Sequence, residues 1–341
     1  MKRYLYYPGC SLEGTALEYE ISTRAVMKAL GYELEEIEDW TCCGAGAAES
    51  VSHLLSLALP ARNLAIADKS EKCNDILVPC SACYLNLKKV EEKTKKDPEL
   101  REKINTILNE SGLKLTGKAR VRHLLDILSV DVGADAIARK VQKYREVNGE
   151  LADTNGTDDR CGAKESASVK RRFDGFRFAP YYGCQCLRPY AAFDDPEFPV
   201  SMEPLIEATG AKVHRWSMGA KCCGASHMNT DPEVSLNLVK AILLNARGAD
   251  AVITVCPMCQ MNLEAYQGKI SSMCHENLKI PVLYLPQLIG LALGISHKEL
   301  RLDLNLSSPL SDHPCQEQWI AAQPLLVAGD GTAVELCKRS C

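Results

Sequence analysis

The residues able to do chemistry are cysteines, and two of their groupings are unusual. "EDWTCCGAG" places Cys42 and Cys43 side by side before Gly44, and "KCCGAS" repeats this at Cys222, Cys223 and Gly224. Adjacent thiols seldom pair with each other and crowd a single tetrahedral ion. Each pair is accompanied by one upstream cysteine (Cys10, Cys184) and one downstream CxxC (Cys80 and Cys83, Cys256 and Cys259). A structural zinc site takes four ligands, usually as two separated pairs. The CxxC halves suit that pattern, but a vicinal pair with a distant single cysteine does not. An iron–sulfur cluster, with several irons, accepts neighbouring thiolates at different metals. Five thiols per set exceed the four that a simple cubane takes, which implies an unusual cluster or a spare thiol beside one. Gly44 and Gly224 would let the backbone approach sulfur and offer amide donors.

The elements that must position these thiols are duplicated. "RYLYYPGC" ending at Cys10 matches "RFAPYYGC" ending at Cys184, and "DILVPCSACYLNL" matches "AVITVCPMCQMNL". With the two CCG motifs, the offsets between halves are 174, 180 and 176 residues, in unbroken order. Such ordered self-similarity marks two copies of one structural unit.

Each copy alternates strand-like and helix-like segments. Leu17, Ile21, Ala25 and Leu30 are expected on one helical face that ends at Gly31, a C-cap residue. "YELEEIE" reads as a strand entering the first double cysteine, residues 49–70 as a helix, and "DILVP" as a buried parallel strand. The second half repeats this with "AKVHRWS", 232–248, "AVITV" and a helix beyond Cys259. Asp97 and Pro98 suit the N-cap and first position of a charged, solvated helix. "RHLLDILSV" and "YLPQLIGLAL" would close the halves with helices. The expectation is an α/β fold of two pseudo-symmetric domains, each a small, mainly parallel sheet flanked by helices. In such sheets ligands gather at the carboxyl ends of the strands, where Cys10, Cys80, Cys184 and Cys256 would lie. The expected boundaries are 1–141 and 175–308, with a polar linker or insertion at 142–174 and an extension at 309–341.

Composition sets outer limits. The chain has 341 residues, 46% hydrophobic and 25% charged, as in globular proteins, and is long enough for two cores. A net charge of -4 gives no electrostatic reason to bind nucleic acid or an anionic membrane. No apolar run reaches a transmembrane length and the start lacks a signal core, so a cytoplasmic protein without direct membrane insertion is expected. Seventeen cysteines in such a chain point to metal or redox chemistry rather than a disulfide framework.

The pattern of single cysteine, Cys-Cys-Gly and CxxC, present twice, resembles the cysteine-rich CCG domain. In tandem it resembles the B subunit of heterodisulfide reductase, over roughly 1–141 and 175–308. "YYPGCS", "TCCGA", "VPCSACYLNL", "APYYGCQ", "LRP" and "KCCGA" extend the likeness beyond the cysteines. The resemblance implies two noncubane [4Fe-4S] clusters. Cys10, Cys42, Cys43, Cys80 and Cys83 would bind one, and Cys184, Cys222, Cys223, Cys256 and Cys259 the other. It further implies a small-molecule disulfide cleaved between them to two thiols. Electrons would come from a ferredoxin-like C subunit and a flavin-bearing A subunit. Alternatives are an electron-relay or quinone-linked subunit of a lactate-, glycolate- or succinate-oxidising system, and a zinc scaffold.

The chain departs from the methanogen pattern at Gln185, where those proteins carry a histidine linked to proton delivery. Cys186, next along, competes with Cys184 as a ligand, though the alignment of Gly9-Cys10 with Gly183-Cys184 favours Cys184. Gln185, His227 and Arg188 are the candidates for catalytic contacts: His227 as a substitute proton donor, Arg188 for an anionic substrate. Cys73, Cys161, Cys186, Cys274, Cys315, Cys337 and Cys341 lie outside the motifs. The remaining histidines, His123 among them, have no motif support.

Overall fold

The computed structural model describes residues 2–46, 48–149 and 173–309. Most of the expected linker and extension, with Cys161, Cys315, Cys337, Cys341 and His313, lies outside these residues.

The first repeat supplies β1 (Lys2–Tyr6), β2 (Tyr32–Glu36), β3 (Asp75–Val78) and β4 (Arg120–His123), all parallel in the order β2-β1-β3-β4. The second supplies β5 (Arg177–Tyr181), β6 (Lys212–Val213), β7 (Ala251–Thr254) and β8 (Val282–Tyr284), parallel in the equivalent order β6-β5-β7-β8. β3 and β7 are apolar and buried along their whole length, as interior strands of doubly covered sheets must be. The reversal of strand order falls between β1 and β3 and again between β5 and β7, so each sheet opens a crevice at its carboxyl end there.

Several helices begin and end where their chemistry dictates. Leu17–Leu30 stops at Gly31, whose φ of 92° is left-handed. Pro98–Leu108 starts with Asp97 accepting from the Leu100 amide at 2.9 Å. The stretch expected as one helix over 49–70 is two, Ala48–Val51 and His53–Ala67, separated by Ser52, which caps the second. "AKVHRWS" contributes only two residues of strand. "DILSV" departs from the expected closing α-helix by widening to π-helical winding over Ile127–Val132. A further helix, Ala134–Gly149, runs past the boundary expected at residue 141.

Of the four residues expected on one face of Leu17–Leu30, only Leu30 is buried. Leu17 is exposed and Ile21 and Ala25 are half-buried, while Tyr19, Ser22, Thr23, Val26, Met27 and Leu30 face inward. The cause is the other repeat. This helix packs on Leu285–Ala292, and a Cβ at Gly290 would come within 3.3 Å of Val26 Cγ2. The equivalent pairing brings Ala134–Gly149 against Glu203–Ala208. The repeats therefore interlock through two matching helix contacts.

Candidate thiol sites at the sheet ends

The cysteine-bearing loops leave the carboxyl ends of the strands, and the same side chains hold them in both repeats. Tyr7 Oη donates to the Thr41 carbonyl at 2.7 Å, and its counterpart Tyr181 donates to the Lys221 carbonyl at 2.7 Å. Asn86 Nδ2 donates to the Cys43 carbonyl at 3.1 Å, as Asn262 does to Cys223 at 2.7 Å. Asn63 adds a two-way clasp on Thr41, accepting from its amide at 2.8 Å and donating to its carbonyl at 2.9 Å. The Cys-Cys turns are thus fixed from the residue before them and at their own carbonyls.

In the first repeat the sulfurs of Cys10 and Cys42 lie 3.7 Å apart and those of Cys43 and Cys83 3.4 Å apart. In the second, Cys223 and Cys259 lie 3.6 Å apart, and Cys184 hydrogen-bonds Cys222. The Gly44 amide points at Cys42 Sγ from 3.4 Å, and the Gly224 amide at Cys222 Sγ from 3.3 Å. Cys80 and Cys256 occupy the N-caps of helices Ser81–Lys96 and Pro257–Ala265, where the helix end favours negative charge. The upstream cysteine follows a glycine whose left-handed backbone and close sulfur neighbour leave no unstrained place for a side chain. Gly9 (φ +75°) and Gly183 (φ +70°) would put a Cβ 2.7 Å from Cys83 Sγ and 2.9 Å from Cys259 Sγ.

These contacts sort the thiols by acidity. Cys43 is held well below the usual thiol range by hydrogen bonds from Cys42 and Cys83, and Cys83, which donates to Cys43 and Cys80, is pushed up. In the second site Cys222 is lowered by Cys184, Cys256 is lowered by Cys259, and Cys259 is raised. Each site can therefore present thiolates in its resting state. Among the described residues no three His, Cys, Asp or Glu side chains are grouped as around a single metal ion. The all-sulfur donor sets, the amides aimed at sulfur and the glycine cradles suit a group with several soft metal centres.

The sites differ in access. Cys10 and Cys42 are exposed, whereas Cys184 and Cys222 are half-buried; Cys43, Cys80, Cys83, Cys223, Cys256 and Cys259 are buried in both. Cys184 lines the second site, while Cys186 is fully buried and directs its thiol to the Tyr182 carbonyl at 3.1 Å. Gln185 lines the site as well. His227 is exposed, close enough to favour the Cys222 thiolate. Arg188 is engaged by the Pro196 carbonyl at 2.9 Å, Glu197 at 3.0 Å and the Ala220 carbonyl at 2.6 Å, so it braces the loop beside Cys222. Two residues that sequence reasoning passed over belong to this region. Ser81, inside the first CxxC, lines the second site, and His123 stands behind it with Nε2 3.2 Å from Ser81 Oγ. Its only sequence signal is its position at the carboxyl end of a strand.

Duplicated doubly wound sheets with a five-thiol site at each carboxyl end define a tandem cysteine-rich α/β protein. The cysteine-rich domain (CCG) matches residues 4–88 and 178–264. The 8-methylmenaquinol:fumarate reductase membrane anchor subunit of Wolinella succinogenes is 32% identical over 89% of this chain and 97% of its own length. A heterodisulfide reductase B-subunit-like protein of Archaeoglobus profundus is 31% identical over 88% of this chain and 93% of its own. The B subunit of the ferredoxin:CoB-CoM heterodisulfide reductase of Methanosarcina mazei is 26% identical, covering 89% and 94%. A crystal structure of a hypothetical protein from Helicobacter pylori shares the fold, with a TM-score of 0.63 and 16% identity over 89% of this chain; that likeness spans 51% of the larger protein. The chain belongs to the family of heterodisulfide reductase B subunits, built from tandem cysteine-rich (CCG) domains. No helix among the described residues is long and apolar enough to cross a membrane.

Proposed function

We propose that this chain is an oxidoreductase subunit of a heterodisulfide reductase-type complex, reducing a small-molecule disulfide to two thiols. Cys10, Cys42, Cys43, Cys80 and Cys83 would hold one noncubane [4Fe-4S] cluster, and Cys184, Cys222, Cys223, Cys256 and Cys259 the other. The observation that carries the reading is adjacency of the two sites: Ser81, flanked by Cys80 in the first set, lines the pocket of the second. When bound, such a pair supplies one-electron steps and two metal centres for the two sulfurs that disulfide cleavage creates.

The chain's own part is to hold thiolates with amides and helix N-termini, and to shape access. Gln185 sits at the second pocket as a substrate contact. His227, exposed beside Cys222, can deliver one of the two protons that the two-electron reduction consumes. Arg188 serves as a brace for that loop instead of meeting substrate. Electrons would arrive from a ferredoxin-like C subunit and a flavin-bearing A subunit, in the cytoplasm.

A quinol-linked reading is favoured by one specific finding, the 32% identity to a subunit of an 8-methylmenaquinol:fumarate reductase across nearly its whole length. Anaerobic purification should yield about eight iron and eight acid-labile sulfide per chain for two [4Fe-4S] clusters. Zinc without labile sulfide would end the cluster assignment. With the clusters reduced, oxidation by a panel of disulfides but not by a quinone analogue supports the first reading; the reverse supports the second.

A further inference from the structure

The two thiol sites differ in what surrounds their open edges. Cys10 and Cys42 are exposed, whereas Cys184 and Cys222 are half-buried. Beyond the first double cysteine, the Ala48 amide donates to the Gly44 carbonyl at 3.2 Å, and Ser52 caps the next helix by accepting from the Leu55 amide at 3.3 Å. This frame holds Val51, Leu54 and Leu55 out to solvent, Val51 at 76% exposure. On the other flank, the short helix that opens at Cys10 ends at Glu13, which shares a groove with Glu36, Glu38, Asp39 and Trp40. Arg24 pairs with Glu36 and Arg62 with Asp39. Glu13 and Glu38 are exposed and have no basic partner among the described residues.

The second repeat keeps little of this. At the same steps beyond its double cysteine stand Asp231, Val234 and Ser235. Asp231 caps a helix by accepting from the Val234 amide at 3.2 Å and Ser235 is buried, which leaves Val234 alone exposed. Leu187 and Met218 occupy the places of Glu13 and Glu38. The shared fold therefore does not require an apolar patch or carboxylates here, and the more open site is the one that carries them. Exposed valine and leucine side chains beside a redox centre favour a covering surface that excludes water. The unpaired carboxylates decide the chemistry of that surface. They repel the anionic headgroups of a lipid leaflet and attract lysine and arginine.

We propose that the first site is the electron port of the chain, docked by a protein whose face has an apolar centre and a basic rim. The apolar centre covers Val51, Leu54 and Leu55, and the rim meets Glu13 and Glu38. This rests on the cluster reading above and puts the electron-carrying subunit on that face. One electron leaves the partner's reduced centre and reduces the first cluster. No bond or proton moves in that step.

Cytochrome c, a basic one-electron carrier, is the probe; it runs the exchange in reverse, out of the reduced chain. The full chain, purified anaerobically and reduced with dithionite, is mixed with it in a stopped-flow instrument. Glu13→Gln with Glu38→Gln should lower the bimolecular rate roughly tenfold at low salt and little at high salt. Val51→Ser with Leu54→Ser should lower it roughly tenfold at both. Iron content and reduced-state EPR signals should stay unchanged in these variants. Phe198→Ser with Val234→Ser, which removes exposed apolar side chains of the second repeat, should keep the wild-type rate. Lysine-acetylated cytochrome c should react slowly with wild type and be indifferent to the glutamine changes. A rate that either first-site variant leaves unchanged, or an equal loss in the second-repeat control, overturns the proposal while the cluster reading stands. So does binding to phosphatidylglycerol vesicles that Val51→Ser with Leu54→Ser abolishes, which would make the patch a lipid surface. Wild-type protein without iron or labile sulfide overturns both.

Discussion

Tyr19 and Tyr284 stack face to face across the seam, ring centroids 4.0 Å apart and planes within 2°. Both are fully buried, Tyr19 on a first-repeat helix and Tyr284 at the end of β8. Tyr19 Oη lies 3.1 Å from the Pro79 carbonyl and 3.1 Å from the Val255 carbonyl. These residues precede Cys80 and Cys256, so one phenolic proton is shared between equivalent points of the two CxxC motifs. The spacing of the sites depends on this side chain.

Tyr19→Phe should therefore cost about 0.5–1.5 kcal/mol, the net worth of one hydrogen bond, because the stacked rings remain and the Val255 carbonyl keeps the Ser81 hydroxyl at 3.3 Å. Denaturant unfolding of the loaded protein measures it. A loss below a few tenths of a kcal/mol would show that the carbonyls find another donor at no cost.

The vicinal thiols can be tested one site at a time. Cys43→Ser and Cys223→Ser should each remove about half of the iron, leaving the signal of the other site intact. Full iron in both variants would make the adjacent thiols incidental.

At Gly9 a Cβ would lie 2.7 Å from Cys83 Sγ, on backbone of φ +75°. Gly9→Ala should thus displace a buried thiol as well as strain the turn, lowering iron by up to half. Gly31 is the control, with φ +92° and nothing within 4 Å of its Cβ. Gly31→Ala should lose about 1–2 kcal/mol of stability from left-handed strain alone and keep its iron. Equal iron in both variants would show that the cradle tolerates a methyl group.

Much of this was legible in residue order. The strands β1, β3, β5 and β7 are short runs that lead into Gly9-Cys10, Pro79-Cys80, Gly183-Cys184 and Val255-Cys256, and the repeat supplies each reading twice. The seam was not legible. Tyr19 and Val255 are 236 positions apart, Ser81 and Val255 174, so no local pattern links them. The same gap explains why periodicity did not single out the buried face of Leu17–Leu30: it picked out aliphatic residues, whereas Tyr19, Ser22 and Thr23 face the other repeat. His123 was passed over because one histidine at a strand end looks like any other until its neighbours are known. Arg188 drew attention by charge, yet backbone carbonyls beside it had already claimed the guanidinium.

Glu264 gives stability a pH dependence of stated sign. It is buried, accepting from the Leu306 amide at 3.0 Å and the Ser307 hydroxyl at 2.8 Å. Burial still pushes its pKa up from 4.5 to about 7. The folded state thus binds a proton more tightly than the unfolded chain. Its stabilising contribution is complete below pH ~4.5 and is lost as pH rises through ~7, by roughly 3 kcal/mol in all. Glu264→Gln cannot ionise, so it should flatten this part of the profile. Urea unfolding at pH 5 and pH 8 would show a smaller stability difference in the variant than in wild type. An identical difference would mean that the Ser307 and Leu306 donors hold the carboxylate charged in the fold, offsetting its burial.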